Sequence, residues 1–195
     1  MLELAVLGLL HDAPMHGYEL RKRLNGMLGA FRAFSCGTLY PTLRRMLRAG
    51  LIEEEPTSPS ARGRGLRARR VYRLTAAGKQ RFGELVGECG PAACDDDAFG
   101  VHVAFFSRTP ADIRMRILEA RRRRVEERRE GLRSVLEADE RLDHYTRALH
   151  RLGLDHSERE VRWLNEFIEH ERAAQSGAAR GRPQVGSQEA QGHDR

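Results

Sequence analysis

The chain opens on an almost unbroken apolar run. Leu2, Leu4, Val6, Leu7, Leu9 and Leu10 cover nearly every side of a first helix, which predicts burial between layers or subunits. Pro14 and Gly17 then punctuate a turn. Tyr18, Leu20, Leu24 and Met27 or Leu28 recur at helical spacing in a second, shorter helix whose other faces carry Glu19, Arg21, Lys22 and Arg23. A third helix sets Leu39, Leu43, Met46 and Leu47 on one stripe and Arg44, Arg45 and Arg48 on the other. Proline is tolerated only in a first turn, so Pro41 leaves two starts open. Thr38 as cap places Pro41 harmlessly, while Ser35 as cap puts it one turn in and implies a kink. Gly50 is the expected stop.

Two strand candidates follow, Leu51–Glu55 and Arg69–Leu74, joined by a Pro-, Gly- and Arg-rich loop that cannot be regular. Together they predict a β-hairpin with a cationic tip. Thr75 is placed to cap a fourth helix carrying Phe82, Leu85 and Val86. Residues 88–98, with Gly90, Pro91 and three consecutive aspartates, read as a linker. The apolar segment from Phe99 to Phe106 fits either a strand or a helix. Thr109-Pro110-Ala111-Asp112 is a helix start, and the leucines and isoleucines beyond it predict one long helix from Pro110 to Leu152, ended by Gly153. Ser157-Glu158-Arg159-Glu160 is a capping-box pattern ahead of a last helix with Val161, Leu164, Phe167 and Ile168 inward. From Ala173 periodicity is lost. The expected division is 1–87, a linker 88–98, a helical domain 99–172 and a disordered tail 173–195.

Charge sharpens this division. The net +6 of the 195-residue chain is unevenly spread: residues 1–87 hold 15 Lys and Arg against 7 Asp and Glu, a local +8, and the remainder is close to balanced at −2. A basic module attached to a near-neutral one is the footprint of phosphate binding. Genome-wide arginine enrichment is the competing reading, and the run Arg121–Arg124 in the second half favours it. Three helices, a hairpin with a basic tip and a further helix form the order of a winged helix-turn-helix. The expected fold is therefore mainly α with a small β-hairpin: a winged helix-turn-helix domain followed by a helical, coiled-coil-like dimerisation domain. In such a domain one helix enters the major groove, the hairpin tip reaches the adjacent backbone or minor groove, and basic side chains displace counterions.

Four separated blocks carry a resemblance. His16-Gly17-Tyr18-Glu19-Leu20, the run Ser35-Cys36-Gly37-Thr38-Leu39-Tyr40-Pro41-Thr42-Leu43-Arg44-Arg45-Met46, Gly50-Leu51-Ile52, and Arg70-Val71-Tyr72-Arg73-Leu74-Thr75-Ala76-Ala77-Gly78 resemble the signature of the PadR family of transcriptional regulators in order and spacing. The second half is more loosely similar to the helical C-terminal domain of its longer members, related to virulence activators of the AphA type. The resemblance implies a homodimeric bacterial repressor or activator, with repression the first expectation, on a pseudo-palindromic operator. It also implies release by a small effector in some members. Its recognition helix falls on Ser35–Ala49. Ser35, Thr38 and Tyr40 then offer hydroxyls, Arg44 and Arg45 reach phosphates or base edges, and Arg62, Arg64, Arg67 and Arg69 form the wing. His16 and Tyr18 either touch the DNA backbone or pack locally. The expected dimer contacts are Leu4, Leu7, Ile113, Ile117, Val125, Leu132, Leu136, Leu164, Phe167 and Ile168.

Other chemistry finds little support. No stretch approaches the roughly 18 apolar residues of a membrane span, and Glu3 with no basic leader argues against a signal peptide. Three cysteines are an odd count for a disulfide framework. His144, His150 and His156 are spaced so that successive rings turn about 120° apart on a helix and cannot converge on one metal. No glycine-rich phosphate loop or nucleophile elbow is present, so neither catalysis nor a cofactor is expected. Two residues keep alternatives. Cys36, near a helix start and arginines, is either a redox sensor or a plain small residue. Trp163, the single tryptophan, either stacks on an aromatic effector or packs. The expected partners are double-stranded DNA and a second copy of the chain, in the bacterial cytoplasm at the nucleoid. The competing classes are a winged-helix adaptor that holds a protein partner, and a binder of double-stranded RNA, whose narrow major groove disfavours it.

Overall fold

Seven consecutive residues, Leu4 to Leu10, are lost to solvent in helix α1 (Leu2–Asp12). Such a helix can exist only if neighbours cover it on all sides, and the rest of the N-terminal half is built around it. The computed structural model describes residues 1–29, 36–55, 70–138 and 141–180. After α1 come a two-residue strand β1 (Met15–His16), α2 (Gly17–Leu28), α3 (Cys36–Arg48), β2 (Ile52–Glu55), β3 (Val71–Leu74) and α4 (Ala76–Gly87). Leu20, Leu24 and Leu28 of α2, Leu39, Leu43 and Met46 of α3, and Phe82 and Val86 of α4 converge on α1 in one core.

The sheet has three strands where the sequence pattern indicates a two-stranded hairpin. Its order is β1-β3-β2, antiparallel throughout. Met15 pairs with Tyr72 and His16 with Val71, while Ile52, Glu53, Glu54 and Glu55 face Leu74, Arg73, Tyr72 and Val71. Two residues are too few for alternation to register, so β1 is invisible to periodicity. Gly50, at φ +68°, turns the chain out of α3. Its own N–H bonds the Leu47 carbonyl and that of Leu51 bonds Met46, each at 3.0 Å, the paired closure of a Schellman cap. Thr75 caps α4 as expected: its Oγ1 accepts from the Gly78 N–H at 3.0 Å and donates toward the Gly50 and Leu51 carbonyls.

Beyond α4, where the sequence reading expects a linker over 88–98, a 3₁₀ turn (Pro91–Cys94) with Ala93 and Cys94 buried leads to α5 (Asp96–Ala104). Helix α5 takes in the end of that stretch and most of the apolar segment whose type the sequence left open. This short helix serves two cores. Val101 and Phe105, just past its end, join the core around α1. Phe99 and, after it, Phe106 join a second core with Ile117, Leu118, Val125, Val161, Leu164 and Ile168.

The second core lies between α6 (Ala111–Ala138, 28 residues) and α7 (His144–Arg180, 37 residues). Ion pairs Arg133–Glu158, Arg121–Glu160 and Arg114–Glu171 run in opposite order along the two helices, so they lie antiparallel. Here the structure corrects the sequence reading. The break falls before residue 144, and the chain passes through Gly153 and Ser157 without interruption. Asp143 makes the new start, its Oδ1 accepting from the N–H groups of Tyr145 at 2.8 Å and Thr146 at 3.1 Å. Ser157 is not a cap, because its hydroxyl donates back to the Gly153 carbonyl inside the helix at 2.9 Å. Gly153 is a close approach: a Cβ there would stand 3.2 Å from Leu132 Cδ1. α6 also begins one residue late. Thr109 donates its hydroxyl to the Phe105 carbonyl and does not cap, and the Pro110 carbonyl accepts the first helical bond, from Arg114 N–H. α7 reaches Arg180, past Ala173, and residues 181–195 lie outside the described part. No helix among the described residues is long and apolar enough to cross a membrane.

Candidate nucleic-acid interface

Helix α3 has two chemically opposite faces. Leu39, Leu43 and Met46 are buried against the core, whereas Thr38, Tyr40, Arg44, Arg45 and Arg48 are exposed. With α3 starting at Cys36, Pro41 lies inside the helix, matching the earlier of the two starts that the sequence allows. Proline has no N–H, so one helical bond is missing. Thr42 bridges the next position through its Oγ1, which donates to the Thr38 carbonyl at 3.0 Å. Ser35 and the side chain of Cys36 lie outside the described part, as do Arg62, Arg64, Arg67 and Arg69 of the wing.

The exposed arginines are not equivalent. Arg45 leans toward Glu3 of α1 at 3.6 Å, and Glu3 also receives Arg81 at 3.3 Å. Among the described residues no carboxylate pairs with Arg44 or Arg48. Free guanidinium groups on the outer face of α3 are the donors a phosphate backbone requires.

Tyr40 and Arg44 form one wall of an open cleft of about 910 Å³. His16, Tyr18 and Glu19 supply another wall, and Glu54, Arg70 and Tyr72 of the sheet a third. His16 is fixed by its Nδ1, which lies 3.3 Å from the Arg70 carbonyl. A carbonyl can only accept, so Nδ1 carries the proton and Nε2 is left for another partner. Tyr18 is 66% exposed, with the Arg21 guanidinium 5.4 Å from its ring centre. Glu19 is engaged by Arg23 at 2.7 Å. Burial, then the nearby Glu54 carboxylate, push the Tyr72 phenol above its ordinary range, so its O–H stays a donor. The hydrogen bond to Glu54, at 2.7 Å, holds Arg70 firmly charged.

The structure thus gathers His16, Tyr18, Tyr40 and Arg44 around one cleft, while Thr38 and Arg45 are exposed together on another flank of α3. Arg70, Glu54, Tyr72 and Arg48 are additions that the sequence reading does not name as site residues. Strand pairing was the available signal for three of them: residue 54 opposes 72, and residue 70 lies two positions before it on the same face.

The residues read as dimer contacts divide by burial. Leu4 and Leu7 are closed inside the core around α1, and Ile117, Val125, Leu164 and Ile168 inside the second core, so none of these six is presented to another molecule. Ile113, Leu132, Leu136 and Phe167 are half-buried. The exposed large apolar positions on α6 and α7 are instead Val135, Tyr145, Leu149, Leu152 and Trp163. Trp163 is 43% exposed and packs edge-on against Phe99, with centroids 6.2 Å apart, and Phe167, at 5.1 Å. Behind it Arg121 is buried, stacked 5.2 Å from Phe99 and bonded to Glu160 at 2.7 Å, Asp96 at 2.5 Å and the Cys94 carbonyl at 3.0 Å. No group of three or more His, Cys, Asp or Glu among the described residues could hold a metal ion.

Residues 6–84 match the transcriptional regulator PadR-like family. Among solved structures, the chain is similar to a PadR-like transcription factor of Bacteroides fragilis at 30% identity, covering 44% of this chain and 76% of that one, with a TM-score of 0.37. It is also similar to Bacillus subtilis PadR in complex with operator DNA, at 21% identity over 87% of this chain and 98% of that one, with a TM-score of 0.44. The complex of Bacillus subtilis PadR with p-coumaric acid matches at 20% identity over 88% and 98%, with a TM-score of 0.40. No curated protein matches the chain significantly.

Proposed function

Since this chain belongs to the PadR-like family of transcriptional regulators, we propose that it is a repressor that binds a pseudo-palindromic operator as a homodimer. A family of transcriptional regulators is not an enzyme class, and the cleft is read as a DNA surface. The observation that carries this reading is the outer face of α3, where Tyr40 stands beside Tyr18 and His16, together with Arg44 and Arg48, both unpaired among the described residues. A helix in the major groove uses such hydroxyls and guanidinium groups for base edges and phosphates. The wing arginines Arg62, Arg64, Arg67 and Arg69 extend the contact to the neighbouring backbone. Two recognition helices must stand about 34 Å apart to enter successive major grooves. Helix α7, with 37 residues at ~1.5 Å each, has the reach to organise that spacing. Its exposed Tyr145, Leu149 and Leu152 are suited to meet a second copy.

Trp163, half-exposed beside Phe99 and Phe167, is the proposed place for an aromatic effector that releases DNA. Its neighbour Phe99 belongs to α5, the helix that also packs on the winged-helix core. A gel shift on the region upstream of the protein's own gene tests the reading. Binding that weakens steeply with salt is expected. A chain that binds no duplex, yet captures a protein through the α6–α7 hairpin, is the adaptor instead. Loss of binding on peroxide treatment, absent in Cys36→Ser, would add a redox input.

A further inference from the structure

Glu54 is one of two acidic groups in a cleft that otherwise offers donors, and the other, Glu19, is held by Arg23 at 2.7 Å. It projects from β2 into the cleft because it opposes Tyr72 in the sheet, and cross-strand partners share a face. Arg70, two residues before Tyr72, projects to the same side. The two meet at 2.7 Å, with the Arg70 side chain 67% exposed and that of Glu54 27% exposed. Across the cleft stand Arg44, unpaired among the described residues, and Tyr40. Glu54 therefore occupies the one guanidinium of the described sheet residues that faces the phosphate-reading wall of α3. The alternate face of the strands is engaged separately, Arg73 holding Glu53 at 3.5 Å and also Glu55.

The geometry points to an anion exchange at Arg70: Glu54 holds the guanidinium in the free protein and gives it up to a DNA phosphate in the bound one. This rests on the DNA-binding reading above and deepens it, making Glu54 a residue that sets affinity and Arg70 a phosphate ligand. Arg70 keeps its charge in both states, and the exchange needs only a side-chain swing at an exposed position. A phosphate brought between Arg44 and Arg70 meets the Glu54 carboxylate as a like charge, so the carboxylate must turn away and recruit a cation. Such uptake offsets part of the counterion release that favours binding. The consequence is a brake on binding to every duplex, which restrains attachment to random DNA where few other contacts compensate.

The test compares wild type, Glu54→Gln, Arg70→Gln and the double variant on two duplexes, the fragment upstream of the gene and a random sequence of equal length. Exposed ion pairs of this kind correspond to about a two- to fivefold effect per chain. Glu54→Gln is expected to tighten binding to both duplexes by about that factor. It should also steepen the salt slope by up to about 0.9 per chain. Arg70→Gln should weaken binding, and Glu54→Gln should tighten it less in the Arg70→Gln background than in the wild type, because only the residual like-charge repulsion is then relieved. Glu54→Asp, which keeps the charge but withdraws it from Arg70, should fall between wild type and Glu54→Gln. Thermal melts verify that each variant folds. Equal tightening with and without Arg70, or no tightening by either Glu54 variant, overturns the exchange while leaving DNA binding intact. A wild-type chain that binds neither duplex overturns both.

Discussion

Replacing Arg121 by alanine should destabilise the helical half more than replacing any exposed arginine of α6. Arg121 is 5% exposed, and its loss strands three acceptors of different standing. The Asp96 side chain is 60% exposed and keeps Arg128 at 2.9 Å, so it can rehydrate at little cost. Glu160, 28% exposed, is less able to, and the Cys94 carbonyl loses the Arg121 donor altogether. Breaking a fully buried ion pair costs ~3–5 kcal/mol, chiefly through the partner left unpaired. One largely hydrated partner brings the expectation down to about 2–4 kcal/mol, including the lost stacking on Phe99. Arg128→Ala, which breaks an exposed pair, should cost no more than about 1 kcal/mol. Arg121→Lys should fall between, since one ammonium cannot serve three divergent acceptors. Urea unfolding followed by Trp163 fluorescence is the suitable assay, because the single tryptophan packs on Phe99 and Phe167 and reports on this core. Equal shifts for Arg121→Ala and Arg128→Ala would show that the buried guanidinium contributes nothing beyond a surface contact.

Three further outcomes are expected. Burial works to raise the Asp96 carboxyl, but hydrogen bonds from Arg128 and Arg121 outweigh it and hold the group below its ordinary range. A carboxyl depressed in the folded state adds stability above its unfolded value of about 4, which is lost as the pH falls through the folded value. The urea midpoint gap between wild type and Arg121→Ala should therefore narrow from pH 6 to pH 3, and a constant gap would refute the linkage. Changing Arg62, Arg64 and Arg67 together to alanine should weaken binding and flatten its salt slope by about 0.9 for each phosphate no longer neutralised, measured by anisotropy titrations. An unchanged slope would remove the wing from the interface. Leu149→Glu with Leu152→Glu should shift the chain toward monomer in light scattering while its circular dichroism stays that of the folded chain, since both positions are exposed in a single copy. Retained dimers would place the self-association surface elsewhere.

The parts of this architecture legible in the sequence are those governed by local rules. The buried stripe of Leu39, Leu43 and Met46, the stop at Gly50 and the cap at Thr75 follow from spacing and backbone preference, and the structure bears them out. The start of α7 was illegible for a physical reason. Leucines recur at helical intervals on both sides of the break, while Gly153 and Ser157 imitate a stop and a start. What distinguishes them is a neighbouring helix: Leu132 lies so close to Gly153 that a Cβ there would stand 3.2 Å from it, and only tertiary packing reveals that the glycine serves this approach and not a helix stop. The site was legible where it lies on α3, whereas across the sheet the two strands were legible but not the register that sets Arg70 against Glu54, 16 residues away. The run Arg121–Arg124 makes the same point in four residues. A helix turns about 100° per position, so Arg121 enters the core, Arg122 reaches Asn165, Arg123 is exposed and Arg124 meets Asp95. A stretch that looks like compositional bias is four separate environments.

Helix α5 has a consequence for how the molecule can be cut. Val101 and Phe105 complete the packing around α1, so a fragment ending at Gly87 would leave that core open on one side. The smallest self-sufficient piece is expected to extend to about Phe105, carrying with it an exposed Phe99 that normally sits on the other core. Neither half can then relax alone. A loosening that frees one side of α5 uncovers the other, and the two hydrophobic centres share a single wall.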